Sequence, residues 1–359
     1  MRNILEKIDW VIFGTSAFLL TASAVALSSI SWDLCLKQLI FIGIGVLIFV
    51  VMAFIDVRPF VGNKMPIVIL YTITLLLLIL VLFIGVEIHG NKSWIDLGFT
   101  RLQPSELSKV SLIAMLALFF SKRHVGIKRM DVILKSLFYF AIPALFIIME
   151  PDLGTVLILF SIWFGFLVFS GLPFRHILVS FAIFGAVGLG AWNFVLKDYQ
   201  KDRIVAVFNP EKDPLGINYN VIQSKNAIGS GGFLGKGYKQ GEIVQLGFLP
   251  SASTDFIFSA LVEEWGLLGG LAVIAAYTVL VFRIAYIGMR ASGNFYKFIC
   301  LGTAIFMVFQ FIVNIGSEIG FLPVVGVVFP LLSYGGSNIL ATSILLSLVN
   351  NVSTKKYNG

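Results

Sequence analysis

Long apolar runs separated by short polar stretches dominate the chain. They are Trp10–Ile30, Cys35–Ile55, Met65–Gly85, Ser105–Phe120, Val132–Ile148, Leu153–Ser170, Ile177–Leu196, Asp255–Phe282, Phe295–Gly316 and Asn338–Val349. A helix needs about 20 apolar residues to cross the hydrocarbon core of a bilayer. The pattern therefore predicts an all-α, polytopic integral membrane protein with about ten transmembrane helices, a single transmembrane domain over residues 1–359. The fourth and last runs are short. An even number of spans places both ends of the chain on one side.

The connecting segments alternate in Lys and Arg content. Arg2, Lys7, Arg58, Lys64, Lys122, Arg123, Lys128, Arg129, Lys135, Arg175, Arg283, Arg290, Lys297, Lys355 and Lys356 collect on one side; the short loops of the other side carry Lys37, Lys92 and Arg101. Positive charge is retained in the cytoplasm, so both termini are expected there. The first run is longer than the core of a signal peptide and is read as a span.

One connection breaks the rhythm. Residues 197–254, between the seventh and eighth runs, form a long polar segment rich in Gly, Asn, Gln and Lys, expected on the extracytoplasmic side. Such a loop, without strong periodicity of its own, is usually functional or disordered. Asp213-Pro214, Gly229-Ser230-Gly231-Gly232 and Gly235-Lys236-Gly237 mark turns within it.

Composition narrows the class. The chain is 58% apolar and 13% charged, whereas soluble domains run nearer half apolar and a quarter charged. That excludes a water-soluble enzyme, a disordered protein and a secreted disulfide scaffold. Cys35 and Cys300 both lie in apolar runs, without metal-ligand spacing. There is no phosphate-binding glycine loop, dinucleotide fingerprint or zinc motif, and His89, His124 and His176 are scattered. The basic residues form collars rather than a nucleic-acid face. No organic cofactor and no nucleic-acid partner are expected.

Charges inside a membrane are expensive and mark function. Asp255 opens the eighth run beside Phe256 and Phe258, either as a carboxylate in the first helical turn capped by Thr254, or at the lip of an apolar cavity. Glu106 and Lys109 share a helix face at the start of the fourth run, as a self-neutralising pair or as substrate contacts. Glu150-Pro151-Asp152 reads as a solvated turn, with Asp152 as the next helix's N-cap. Helical angles place Glu263 on the Asp255 side and turn Glu264 away.

The long loop continues Gln223-Ser224, Ala227-Ile228-Gly229-Ser230-Gly231-Gly232 and Phe248-Leu249-Pro250, then Thr254-Asp255-Phe256-Ile257-Phe258. Upstream stand Gln103-Pro104-Ser105-Glu106 and Pro151-Asp152-Leu153-Gly154-Thr155; downstream stands Pro330-Leu331-Leu332-Ser333-Tyr334-Gly335-Gly336-Ser337. Over nearly its whole length the chain resembles the SEDS family (shape, elongation, division and sporulation) of bacterial cell-wall proteins. Gly235-Lys236-Gly237 and the short N-terminus are most similar to the family's elongation branch.

The resemblance implies polymerisation of peptidoglycan glycan strands from lipid II and a lipid-linked nascent glycan at the bacterial cytoplasmic membrane. A class B penicillin-binding protein would be the transpeptidase partner. It makes Asp255 the catalytic base, and Glu106, Lys109, Asp152, Arg203, Gln223, Ser224 and Lys225 the substrate-binding set. The departing diphosphate would be neutralised by Lys109, Arg203 or Lys225, or by a divalent cation (Mg²⁺ or Mn²⁺) at Glu106 and Asp152. A lipid II transporter, with Asp255 as a gating or proton-coupled residue, and a non-catalytic scaffold for the transpeptidase share the same membrane fold.

Overall fold

The computed structural model describes residues 7–55, 63–88, 91–96, 98, 100–122, 130–194, 198–208, 216 and 218–354. Arg2, Arg58, His89, Arg123, His124, Lys128, Arg129, Lys197, Asp213, Pro214, Lys355 and Lys356 lie outside the described residues.

A helix stands on every apolar run: α1 Trp10–Ile30, α2 Trp32–Phe54, α3 Met65–Ile84, α4 Pro104–Ser121, α5 Met130–Met149, α6 Leu153–Phe169 and α7 Phe174–Phe194. The long loop carries α8 Asp198–Phe208, α9 Tyr219–Ser230 and α10 Glu242–Gln245, and the chain closes with α11 Ile257–Arg290, α12 Asn294–Glu318 and α13 Gly336–Thr354. Among the described residues, seven helices are long and apolar enough to cross a membrane: α1, α2, α3, α4, α5, α11 and α12. α6 is apolar but shorter.

The two short runs have a common cause. α4 lies at the centre of the bundle, with 83% of its apolar window buried. α13 buries Ser337, Asn338, Thr342, Ser347, Asn350 and Asn351 against its neighbours. A helix walled by protein can carry polar and small residues that lipid contact would forbid. At the α2–α13 crossing, a Cβ on Gly45 would stand 2.6 Å from Ser343 Oγ, so glycine sets that approach.

The helical class expected from the apolar runs holds; beside it, β1 (Val86–Ile88), β2 (Asn91–Asp96) and β3 (Arg101–Leu102) form a small antiparallel sheet ahead of α4. The long loop carries helices of its own. Its α9 runs beside α11 with polar contacts, such as Ser224 Oγ to Ser259 Oγ at 2.6 Å, where hydropathy gives no signal.

α1 and α11 are antiparallel partners. Asp9 meets Arg283 at one end of the pair, and Ser29 meets Glu264 at the other.

Candidate active site

Asp255 sits half-buried in a turn ahead of α11, not in its first helical turn. The expected Thr254 cap is not made: the Thr254 hydroxyl turns back to Ser251 C=O, and α11 starts without a side-chain cap of its own. The chain turns before it coils because three neighbours hold its carbonyls. Tyr334 N–H donates to Ser253 C=O at 2.8 Å, Ser333 Oγ to Thr254 C=O at 2.6 Å and Asn314 Nδ2 to Asp255 C=O at 3.0 Å. Phe256 is buried beneath the turn.

The first amides of α11 are capped from another helix. Glu318, the last residue of α12, is fully buried and accepts Ser259 N–H at 2.7 Å together with the Ser259 hydroxyl. Ser224 bridges the same point, reaching Ser259 Oγ and, at 2.8 Å, Glu318 C=O. Lys225 is exposed on the next step of α9, its ammonium lying against Gly320. Gln223 is part-buried on that helix. Arg203, on α8, donates to Val324 C=O at 3.1 Å. Asp255, Ser224, Lys225 and Arg203 are thus gathered around the end of α12 and the segment following it.

Glu106, Lys109 and Asp152 form a second polar cluster. Lys109 Nζ is 2.6 Å from Glu106 Oε1, both side chains buried, and stands over the Phe306 ring. Asn338 Nδ2 takes the other Glu106 oxygen at 2.9 Å. Asp152 is the N-cap of α6 as expected, accepting Thr155 N–H at 3.0 Å and Thr155 Oγ1 at 2.7 Å. Burial raises its pKa against the pull of those hydrogen bonds and of Lys109. The solvated-turn reading of Glu150 does not hold. Glu150 is fully buried, neither oxygen has a partner among the described residues, and burial with the nearby Asp152 pushes its pKa to about 8.

The segment Pro330–Ser337 joins the clusters. Ser333 and Tyr334 bind the Asp255 turn, while Ser337 Oγ accepts Gln103 N–H at 3.1 Å beside Asn338 and Glu106. Gln38, buried on α2, grips the same segment through Ser333 C=O at 3.0 Å and Gly335 N–H at 3.3 Å. The angular placement of Glu263 fails. Its carboxylate is taken by the Ile243 and Val244 amides at 2.9 and 3.1 Å and by Lys236, so it holds the loop instead of facing Asp255.

Sequence reasoning missed Gln38, Asn314, Glu318 and Asn338. One signal was present: Gln310, Asn314 and Glu318 recur every four residues, a polar stripe on an otherwise apolar helix.

Residues 7–358 match the FtsW/RodA/SpoVE family of cell cycle proteins. The chain belongs to this family. It is 38% identical to the peptidoglycan glycosyltransferase MrdB of Escherichia coli K12, covering 88% of this chain and 84% of that one. It is 36% identical to MrdB of Helicobacter pylori J99, covering 98% and 93%. Among solved structures, a chain of a peptidoglycan synthase complex that coordinates polymerization and crosslinking superposes with a TM-score of 0.83, at 34% identity over 98% of this chain and 99% of that one. The rod shape determining protein RodA of Thermus thermophilus gives a TM-score of 0.71, at 28% identity over 98% of each chain. This FtsW/RodA/SpoVE member is therefore a multi-pass membrane protein, and the resemblance read from its motifs is confirmed at the level of fold and family.

Proposed function

We propose that this chain is a peptidoglycan glycosyltransferase of cell elongation that polymerises glycan strands from lipid II at the outer face of the bacterial cytoplasmic membrane. The named relatives support the activity. The observation that carries the mechanism is the Asp255 turn: a half-exposed carboxylate on a loop pinned at three carbonyls, with cations on two neighbouring helices.

The donor is an α-linked disaccharide diphosphate and the product bond is β, so one inverting displacement suffices. The 4-hydroxyl oxygen of lipid II attacks the anomeric carbon of the nascent glycan as Asp255 takes its proton, and the polyprenyl diphosphate departs with the bonding pair. A positioned base contributes about 10²–10⁴-fold. Lys225 and Arg203, set against the segment that follows α12, supply positive charge toward the diphosphate. Lys109 is committed to Glu106 and organises the second cluster. A divalent cation finds no ready donor set: among the described residues no three acidic, His or Cys groups come together, and Glu106 and Asp152 are engaged by Lys109, Asn338 and Thr155. No step is assigned to a metal. A class B penicillin-binding protein, docking partly through its membrane helix, is the crosslinking partner.

Asp255→Asn tests this. Asn preserves size but cannot take the proton, so strand synthesis from lipid II, resolved on gels with the transpeptidase site blocked, should fall by at least about 10²-fold. Wild-type-like strands would remove Asp255 from the mechanism.

A further inference from the structure

The α1–α11 pair carries its own ruler. Asp9–Arg283 and Ser29–Glu264 are 20 residues apart on α1 and 19 on α11, a separation of about 30 Å at 1.5 Å per residue, which equals the thickness of the hydrocarbon core. Exposed aromatics mark the same two levels. Trp10 and Tyr286 flank the Asp9 rung; Trp32 and Trp265 flank the Ser29 rung. Trp and Tyr concentrate at membrane–water interfaces. The Ser29–Glu264 rung is thus the lipid boundary on the side of the site.

The glycine-rich part of the long loop lies at that boundary. Gln245 Nε2 reaches Ser29 Oγ at 2.9 Å, Tyr238 OH meets Ser28 Oγ at 2.9 Å, and Lys236 Nζ lies 3.4 Å from Glu263. Leu267 N–H donates to Gly232 C=O at 2.9 Å, which sets Phe233 and Leu234 beside the lipid-facing Trp265, Leu267, Leu268 and Leu271 of α11. Gln245, Tyr238 and Lys236 thus bond toward the bundle and Val244 is buried, whereas Phe233, Leu234, Leu246 and Phe248 are left 61, 75, 67 and 48% exposed. These four continue the apolar belt of the spans across the rung, and Lys239 rides over the Tyr238 ring beside them.

We propose that residues 232–248 are a membrane-binding element, with Phe233, Leu234, Leu246 and Phe248 inserted at the headgroup–acyl boundary of the leaflet on the site's side. Interfacial elements of this kind bury their apolar face about 5–10 Å into that boundary. The consequence for the site is its place at the interface. Ile257 lies seven residues, about 10 Å of helix, from Glu264, so the Asp255 turn stands close to the lipid boundary, within reach of a lipid-linked diphosphate. The proposal concerns the loop and stands whether or not Asp255 is the base.

The test uses the full chain in phospholipid nanodiscs, without any partner, with Cys35 and Cys300 replaced by Ala. A single cysteine at Leu234 carries an environment-sensitive fluorophore, and one at Asn226, exposed on α9, serves as the control. The Leu234 probe should emit at shorter wavelength than the Asn226 probe, be quenched several-fold more by lipids spin-labelled near the top of the acyl chain, and resist aqueous iodide. Iodide quenching equal to that at Asn226, with no quenching by labelled lipid, would overturn the proposal. Protection that develops only when the penicillin-binding protein is added would overturn it too, and reassign the patch to protein docking. Phe233→Ser/Leu234→Gln gives a second measurement: insertion predicts loss of the lipid-dependent protection of a probe at Leu246, with unchanged thermal stability in detergent.

Discussion

Glu318 shows how a residue outside the catalytic set can govern it. Its carboxylate occupies the amide at the start of α11, where Phe256 offers no side-chain acceptor, four residues from Asp255. Gln in its place retains an oxygen for Ser259 N–H, and Ala retains none. Glu318→Ala should lower kcat about 10- to 100-fold, the scale of a misplaced catalytic group, with KM for lipid II little changed. Glu318→Gln should restore most of the rate. Equal losses in both variants would argue against a positioning role. Glu150 has a different signature. Because its carboxyl titrates near 8 in the fold, against an ordinary 4.5, the native protein retains a proton that the unfolded chain has released. Stability should therefore fall as pH rises from 4.5 toward 8. Glu150→Gln should flatten that slope in detergent melts between pH 5 and about 8.

At the scale of elements, α11 is two helices spliced at Gly266, where φ is 67° and ψ −174°. The break releases the Leu267 and Leu268 amides to Gly232 and Phe233, while Lys236 and Gly237 return amides to Glu263 and Glu264. Glycine is required on both sides. A Cβ on Gly266 would stand 2.3 Å from Gly235 N, and one on Gly235 2.2 Å from Glu264 C=O. Gly266→Ala and Gly235→Ala should each cost about 2–3 kcal/mol in thermal unfolding, whereas Gly229→Ala, with open space around it, should be neutral. The splice also explains what was legible beforehand. Continuous apolar runs announce helices, so the bundle could be read directly. Asp255, Glu106, Lys109 and Asp152 stood out as charges in or beside apolar runs. Helices α8, α9 and α10 could not be read, because their anchors are distant in sequence: Val324 for Arg203, Ser259 for Ser224, and Glu263 for the Ile243 and Val244 amides. Gln38 and Asn314 stayed hidden because single amides barely alter the hydropathy of a long run.

At the scale of the whole molecule, sidedness is the expectation to test: the charge asymmetry of the loops predicts the Asp255 face outside and both termini inside. Single cysteines at Asn218 and Lys355, in the Cys-free background, should react with an impermeant maleimide from opposite sides of sealed vesicles. Same-side labelling would overturn the expected ten spans. At the far face, Asp9 binds Arg283 of α11 at 2.7 Å and the Ser353 hydroxyl of α13, and its N–H donates to Asn350, 341 residues away, at 2.7 Å. Arg283 and its hydrogen bonds hold the Asp9 pKa down although burial works to raise it. This latch has a bearing on biosynthesis. At about 5–20 residues per second, Asp9 waits roughly 17–70 s before Asn350, 341 residues on, has been made. Before that, α1 is held by its hydrophobicity, by α2 and then by α11, and the last turn of α13 completes the latch.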